Sequence, residues 1–194
     1  MGRPREFDMD QALEQAVQAF WNHGYEATSL SDLMETMDLR KGSIYKAFGD
    51  KHSLFIAALD RYLDDLLKFN EEAFESGDTP KDAVRLWLNS RLKKFCEQPL
   101  NRGCLIINSL VEDAYQDKVV AEKVKAYFTC TQKLLTKTIK EGQDLNQFRK
   151  DFTASELSQL ISVSLVGMVA MSKGAISKNA CLKIVKNILK LIEI

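Results

Sequence analysis

Helix-breaking residues are scarce in this chain: three prolines and nine glycines punctuate 194 residues. So few breaks over this length favour long helices over many short strands. The breaks that exist stand where helices would start or stop. Asp8 is placed to cap a first helix, with Gln11 at the reciprocal position of a capping box, and Met9, Leu13, Ala16, Val17 and Phe20 recur at helical spacing up to Gly24. Ser29 and Asp32 form a second capping pattern ahead of Leu30, Leu33, Met34 and Met37. A turn at 37–40 leads to a third helix over Lys41–Phe48, closed by Gly49. Asp50 caps a fourth, long helix over Lys51–Glu75.

Thr79-Pro80-Lys81-Asp82 opens a fifth helix running to about Cys96, because proline is tolerated at the first helical position. A loop over 98–103 follows, then a short helix over Cys104–Ala114 and a longer one from Asp117 to about Lys140. Thr153-Ala154-Ser155-Glu156 opens an eighth helix ending at Gly174, and the last runs from Asn179 to Leu191. No segment alternates with period two. The expected fold is all-α, with a three-helix N-terminal domain over 1–50 and a larger helical bundle over 51–194.

Composition bounds the function classes. An apolar fraction of 45% and a charged fraction of 28% are those of a soluble globular protein. No uninterrupted apolar run reaches the roughly 18 residues a membrane span needs, and the charged N-terminus lacks the hydrophobic stretch of a signal peptide, so the expectation is a cytoplasmic protein without a membrane partner. Cys96, Cys104, Cys130 and Cys181 contain no C-x-x-C pair, and His23 and His52 have no ligand-like spacing to them. Free thiols and no metal site are expected. There is no nucleophile elbow, Gly-rich phosphate loop or Cys/His pairing, and Asp64 and Asp65 diverge on adjacent helix positions. The chain reads as neither an enzyme nor a cofactor protein.

Net charge is zero, from 27 basic and 27 acidic residues, so any nucleic-acid binding has to come from a local cluster. One exists: of the six Arg/Lys in residues 1–52, Arg40, Lys41, Lys46 and Lys51 fall within twelve positions. Two short helices joined by a tight turn have the spacing of a helix-turn-helix. Its interior would be Leu30, Leu33, Met37, Leu39, Ile44 and Phe48. Arg40, Lys41, Ser43 and Lys46 would point outward toward base edges in a major groove. Gly42, without a Cβ, would allow close backbone approach to DNA. Thr28, Tyr45 and Lys51, with the helix N-termini, can hold phosphates, and the arm Gly2-Arg3-Pro4-Arg5 can reach an adjacent minor groove. Periodicity by itself leaves another reading open: charged, solvated faces of an ordinary helical domain, such as an adaptor that binds only protein.

The stretches Tyr25-Glu26-Ala27-Thr28-Ser29-Leu30-Ser31-Asp32-Leu33 and Lys41-Gly42-Ser43-Ile44-Tyr45-Lys46-Ala47-Phe48-Gly49-Asp50-Lys51 resemble the N-terminal signature of the TetR (tetracycline-repressor-like) family. The opening Gly-Arg-Pro-Arg is also frequent there. The resemblance covers about residues 3–62. Arg40 departs from it, standing where a small capping residue is common. What the resemblance implies is a transcriptional regulator, mostly a repressor. Thr28, Tyr45 and Lys51 would be its phosphate contacts on a palindromic double-stranded operator bound by a homodimer. It further implies a C-terminal domain that binds a small-molecule effector and dimerises.

Candidate dimer helices are Ser155–Ser172, with Leu157, Leu160, Ile161, Ser164, Leu165, Gly167, Met168 and Met171, and Asn179–Leu191, with Leu182, Ile184, Val185, Ile188, Leu189 and the adjoining Ile192. Candidate ligand-binding residues are Trp87, Phe95, Tyr127, Phe128 and Met168. Cys104, at a helix start beside Arg102, is a candidate redox sensor, since both would lower a thiol pKa. The Gly103-Cys104-Leu105 element also resembles that of a TetR subgroup containing cysteine-based electrophile sensors. The other three cysteines read as core residues.

Overall fold

The computed structural model describes residues 7–96, 102–112 and 117–194, with the side chain of Cys96 also outside the described set. The N-terminal arm with Arg3 and Arg5, much of the loop over 98–103, and Ala114 lie outside the described residues. Nine α-helices occur among those described: α1 (Met9–His23), α2 (Leu30–Met37), α3 (Lys41–Phe48), α4 (Lys51–Glu75), α5 (Pro80–Cys96), α6 (Leu105–Glu112), α7 (Lys118–Asp144), α8 (Ala154–Met171) and α9 (Lys178–Ile192). The described residues contain no strand, only an isolated bridge between Phe148 and Glu193.

Local chemistry sets the helix ends. The Asp8 carboxylate accepts from the backbone N–H groups of Asp10 and Gln11, so Gln11 is held through its backbone. Gly24 closes α1 at φ 79°, a region glycine enters without a Cβ penalty. Ser29 with Asp32, and Thr153 with Glu156, form complete capping boxes. α7 runs a turn beyond its sequence-based end, to Asp144. α8 stops three residues before Gly174, where 172–174 turn out of the helix.

α1, α2 and α3 pack on one another and on the start of α4. Their interior is Val17, Phe20, Leu33, Met37, Ile44, Leu54 and Phe55, all buried. Phe20 and Phe55 meet edge to face at 5.0 Å. α4 continues into a second block, where it packs on α5, α6 and α7; α5 also packs on α9, and α7 on α8. The two blocks share one continuous apolar core.

The apolar stripes of α8 and α9 divide between two faces. Leu157, Ile161, Leu165 and Met168, with Val185, Ile188 and Ile192, are buried within the chain. Leu160, Val163, Met171, Leu182 and Leu191 point outward and are exposed. A methyl group added at Gly167 would meet no atom of the chain within 4 Å. α8 is long and apolar enough, by length and composition, to cross a membrane, although serines and Gly167 interrupt its apolar run. Its buried side packs on α7 within a helical bundle, and polar residues such as Glu156 and Gln159 interrupt its outer side.

Between α7 and α8 the chain folds back so that the fully buried Phe148 lies on Gly142. A Cβ there would stand 2.4 Å from the Phe148 ring. Alanine is favoured over glycine in a helix by about 1 kcal/mol, but forced overpacking costs about 1–3 kcal/mol. Gly142→Ala is therefore expected to lower the melting temperature. A rise would show that the ring moves aside freely.

Candidate nucleic-acid interface and buried cavity

The two short helices owe their geometry to three residues. Asp38 ends α2 in the left-handed conformation (φ 50°, ψ 42°), which aspartate tolerates better than most side chains. Leu39 is half-buried against the core, and its N–H bonds Met34 O at 3.1 Å. Arg40 is the N-cap of α3 but makes no side-chain capping bond, as its departure from the family pattern implied. Ile44 is buried and anchors α3 against Leu33 and Met37 in the shared core.

Arg40, Lys41, Gly42, Tyr45 and Lys46 are exposed on the outer side of this unit, and Ser43 is half-buried. The Lys41 ammonium lies 5.5 Å from the Tyr45 ring centroid. A methyl group at Gly42 would meet nothing within 4 Å. Lys51 is half-buried; its ammonium stands 4.5 Å over the Tyr25 ring and donates to Glu26 O at 3.4 Å. Thr28, expected as a phosphate contact, lies beneath this surface. It is fully buried, and its hydroxyl donates to Gly24 O at 2.5 Å, so the side chain closes the α1–α2 turn. The exposed Ser29 stands at the adjacent surface as the α2 cap.

Two ties join this unit to the second block. The Trp21 indole N–H of α1 donates to Gly103 O at 3.0 Å, and the Arg102 guanidinium stacks 4.0 Å from the same ring while bonding Gln18 and Asn22. His52 Nε2 of α4 meets the Asp117 carboxylate at 2.5 Å. Asp117 also caps α7 by accepting from Val119 and Val120. The bond to His52 is the largest cause holding the Asp117 carboxyl below the usual aspartate range, aided by those backbone N–H groups.

In the second block α5, α6, α7 and α8 enclose a cavity of about 110 Å³. Trp87, Phe95, Tyr127 and Phe128 line it. Met168 is buried but does not; Leu165, Val166 and Val169 form the α8 wall. Cys104 is a wall residue just ahead of α6, 3% exposed. Its environment differs from the expected one. Arg102 is engaged by Trp21, and the group bonded to Sγ is the Tyr62 hydroxyl, at 3.4 Å. Burial and the neighbouring Cys104 push the Tyr62 phenol well above its ordinary range. Of the other cysteines, Cys181 is buried as expected, but Cys130 is exposed on α7.

Arg91, which the sequence reading passed over, also lines the cavity and is 2% exposed. Its Nη2 donates to Asn70 Oδ1 and, at 2.5 Å, to the Tyr127 oxygen. Asn70 Oδ1 accepts from the Trp87 indole at 2.9 Å as well, and Asn70 Nδ2 donates to Thr131 at 3.2 Å. The signal was present in the four-residue spacing of Trp87, Arg91 and Phe95, which sets the arginine on the aromatic face of α5. Among the described residues, no three His, Cys, Asp or Glu side chains converge as metal ligands.

A helix-turn-helix with a cationic outer face, held at one end of a long helix whose later turns pack into a helical bundle, defines a DNA-binding type of regulator. Residues 12–58 match the family model for bacterial regulatory proteins of the tetR family, and residues 80–186 match the tetracyclin repressor-like C-terminal domain. The chain belongs to the TetR family. It is 27% identical to the HTH-type transcriptional repressor ComR of Escherichia coli (strain K12), over 98% of this chain and 91% of that protein. It is 28% identical to the uncharacterized HTH-type transcriptional regulator YezE of Bacillus subtilis (strain 168), over 89% of this chain and 90% of that one. A cysteine mutant of the TetR family transcriptional regulator CifR, solved in complex with 26-bp double-strand operator DNA, superposes with a TM-score of 0.81 at 27% identity. That match covers 98% of this chain and 100% of CifR.

The Asp117 carboxylate gives a pH-dependent test. Because its folded pKa is depressed, its contribution is complete above the ordinary aspartate range of about 4 and is lost as pH falls through the lower folded value. Asp117→Asn keeps the capping ability. It is expected to melt lower than the parent at pH 7, by about 1 kcal/mol or less for so exposed a pair, with the deficit shrinking toward pH 3. A deficit unchanged across that interval would assign the loss to packing.

Proposed function

We propose that this protein is a homodimeric transcriptional repressor, divided near residue 50 into DNA-binding and effector domains, that holds a palindromic operator and releases it when a small molecule fills the cavity. The observation that carries this reading is the short path from cavity to DNA unit. Cys104 walls the cavity, and the carbonyl of its neighbour Gly103 is held by Trp21 of α1. α1 in turn packs along α4 and on α2. A ligand that shifts the 103–104 segment therefore pulls on the helix-turn-helix. Two recognition helices must sit about 34 Å apart to enter successive major grooves, so a shift of a few ångströms lowers affinity by changing the population of competent dimers.

In this reading Tyr45, Lys51 and the α2 and α4 N-termini hold phosphates, while Arg40, Lys41, Ser43 and Lys46 reach toward base edges. Gly42 keeps the backbone open to the duplex. The dimer forms through the outward faces of α8 and α9, where Leu160, Val163 and Met171 are exposed and Gly167 offers close approach.

Binding to a duplex selected by the protein from a random pool, followed by fluorescence anisotropy across a salt series, tests the interface. Lys46→Ala is expected to weaken binding and lower the salt slope by about 1, with the melting temperature unchanged. Equal affinity and slope would remove Lys46 from the interface. Val163→Glu is expected to yield a folded monomer in sedimentation with much weaker binding to the palindrome. A Val163→Glu protein that stays dimeric would place the interface elsewhere.

A second reading has its own observation. The Tyr62 hydroxyl donates to Cys104 Sγ in the cavity wall, which holds the thiol where a small electrophile would bind. Alkylation of Cys104 would then release DNA. If a Cys104→Ser protein is released by electrophiles as readily as the parent, this thiol is not the sensor.

A further inference from the structure

The cavity wall contains a buried cation, Arg91, with no carboxylate beside it among the described residues. We propose that the cavity's ligand is a small organic carboxylate with a short apolar body, its anionic head seated on Arg91. This rests on the cavity being the effector site and names the chemical class that site takes.

Arginine stays protonated in proteins, so at 2% exposure Arg91 carries a buried full charge. Burying a charge costs several kcal/mol unless it is paired. Its partners are neutral: Asn70, Tyr127, and the rings of Phe69, Trp87 and Phe95, each about 5.5–5.7 Å from the guanidinium carbon. Among the described residues no carboxylate pairs with it, and the Arg91 Nε–H has no acceptor. The Tyr127 oxygen accepts from both Arg91 and Asn70, which leaves its own O–H to donate. Two donors in the wall of one cavity, one of them cationic, match the two oxygens of a carboxylate.

The surroundings reinforce the sign. Lys94, 4.8 Å from the Phe69 ring that Arg91 also faces, is held below the ordinary lysine range by burial and by the positive charge of Arg91. The rest of the wall is apolar or internally bonded. Ile106, Ile107, Leu165 and Val169 are buried, and Gln132 is bonded to Ser158 and Ser162. At about 110 Å³ the cavity is somewhat smaller than the roughly 150 Å³ that holds benzene, so the apolar body is a short alkyl chain or a single ring with slight expansion.

The experiment titrates the full-length protein in chloride-free buffer with butyrate and benzoate, each against its neutral amide, following thermal stabilisation and calorimetric binding. The acids are expected to bind about 10- to 100-fold tighter than the amides. Arg91→Met should abolish that preference while the empty protein melts at or above the parent temperature, since an unpaired buried charge has been removed. Arg91→Lys keeps the charge without the planar fork and should retain a weaker preference for acids, which tests the idea even if Arg91→Met does not fold. Amides binding as tightly as acids, acids stabilising Arg91→Met as much as the parent, or chloride stabilising the parent as much as butyrate would each overturn it. Release from the selected duplex is scored separately. Acids that bind through Arg91 without releasing DNA would leave the ligand class standing and remove the effector role. Neutral compounds that release DNA while acids do not bind would do the reverse.

Discussion

The packing of α1 across the first turns of α4 is the contact on which both halves of the molecule depend. α4 is a single 25-residue helix, about 37 Å long at the usual rise per residue. Its first part supplies Leu54, Phe55 and Ala58 to the core under α1, α2 and α3. Its later turns supply Tyr62, Leu66, Asn70 and Phe74 to the bundle. No proline or glycine interrupts it, so it has no built-in kink. A tilt of about 5° at one end would displace the other by about 3 Å, on the scale that spoils simultaneous entry into two grooves. The His52–Asp117 bond fastens the start of this lever to the cap of α7, and the Trp21–Gly103 bond fastens α1, packed along it, to the segment before α6.

The second block combines rigidity with an internal defect. Most of its interior is aliphatic and aromatic, but Asn70, Arg91, Tyr127 and Thr131 form a buried polar chain through its middle. A fully satisfied chain of this kind rigidifies a core, whereas one with an unmatched member costs stability. The unmatched member is Arg91, and it faces the cavity. A ligand that supplied the missing partner would bind one conformation better than another, which is the condition for it to shift the population.

Much of the fold was legible in the chain because helix starts are written in local chemistry. Ser29 with Asp32, Asp50, Thr79 with Pro80, and Thr153 with Glu156 each mark a boundary that needs no knowledge of distant residues. The outward set Arg40, Lys41, Tyr45 and Lys46 follows from the period of α3 once Ile44 is taken as the inward residue. What was not legible depends on contacts between elements. Thr28 looks like a surface hydroxyl until the α1–α2 turn folds it beneath Gly24 O. Cys130 sits on an amphipathic helix beside buried Thr131 and Tyr127, and only the placement of α7 decides that it points outward. The stripes of α8 and α9 are apolar over more than one face, so periodicity cannot divide the internal face from the exposed one. Arg102 stands two residues from Cys104 in the chain, yet the Trp21 ring claims its guanidinium.

Arg91 and Cys104 occupy one small cavity, which constrains any account of what regulates this protein. A carboxylate on Arg91 would fill much of a space of about 110 Å³ and so restrict the approach of a second small molecule to the Cys104 thiol. An acid bound at Arg91 and an alkyl group on Cys104 would therefore compete for the same space, and occupancy by one would disfavour the other. In the proposed reading either event would reach the DNA-binding unit through the wall segment at Cys104, whose neighbour Gly103 offers the carbonyl that Trp21 holds.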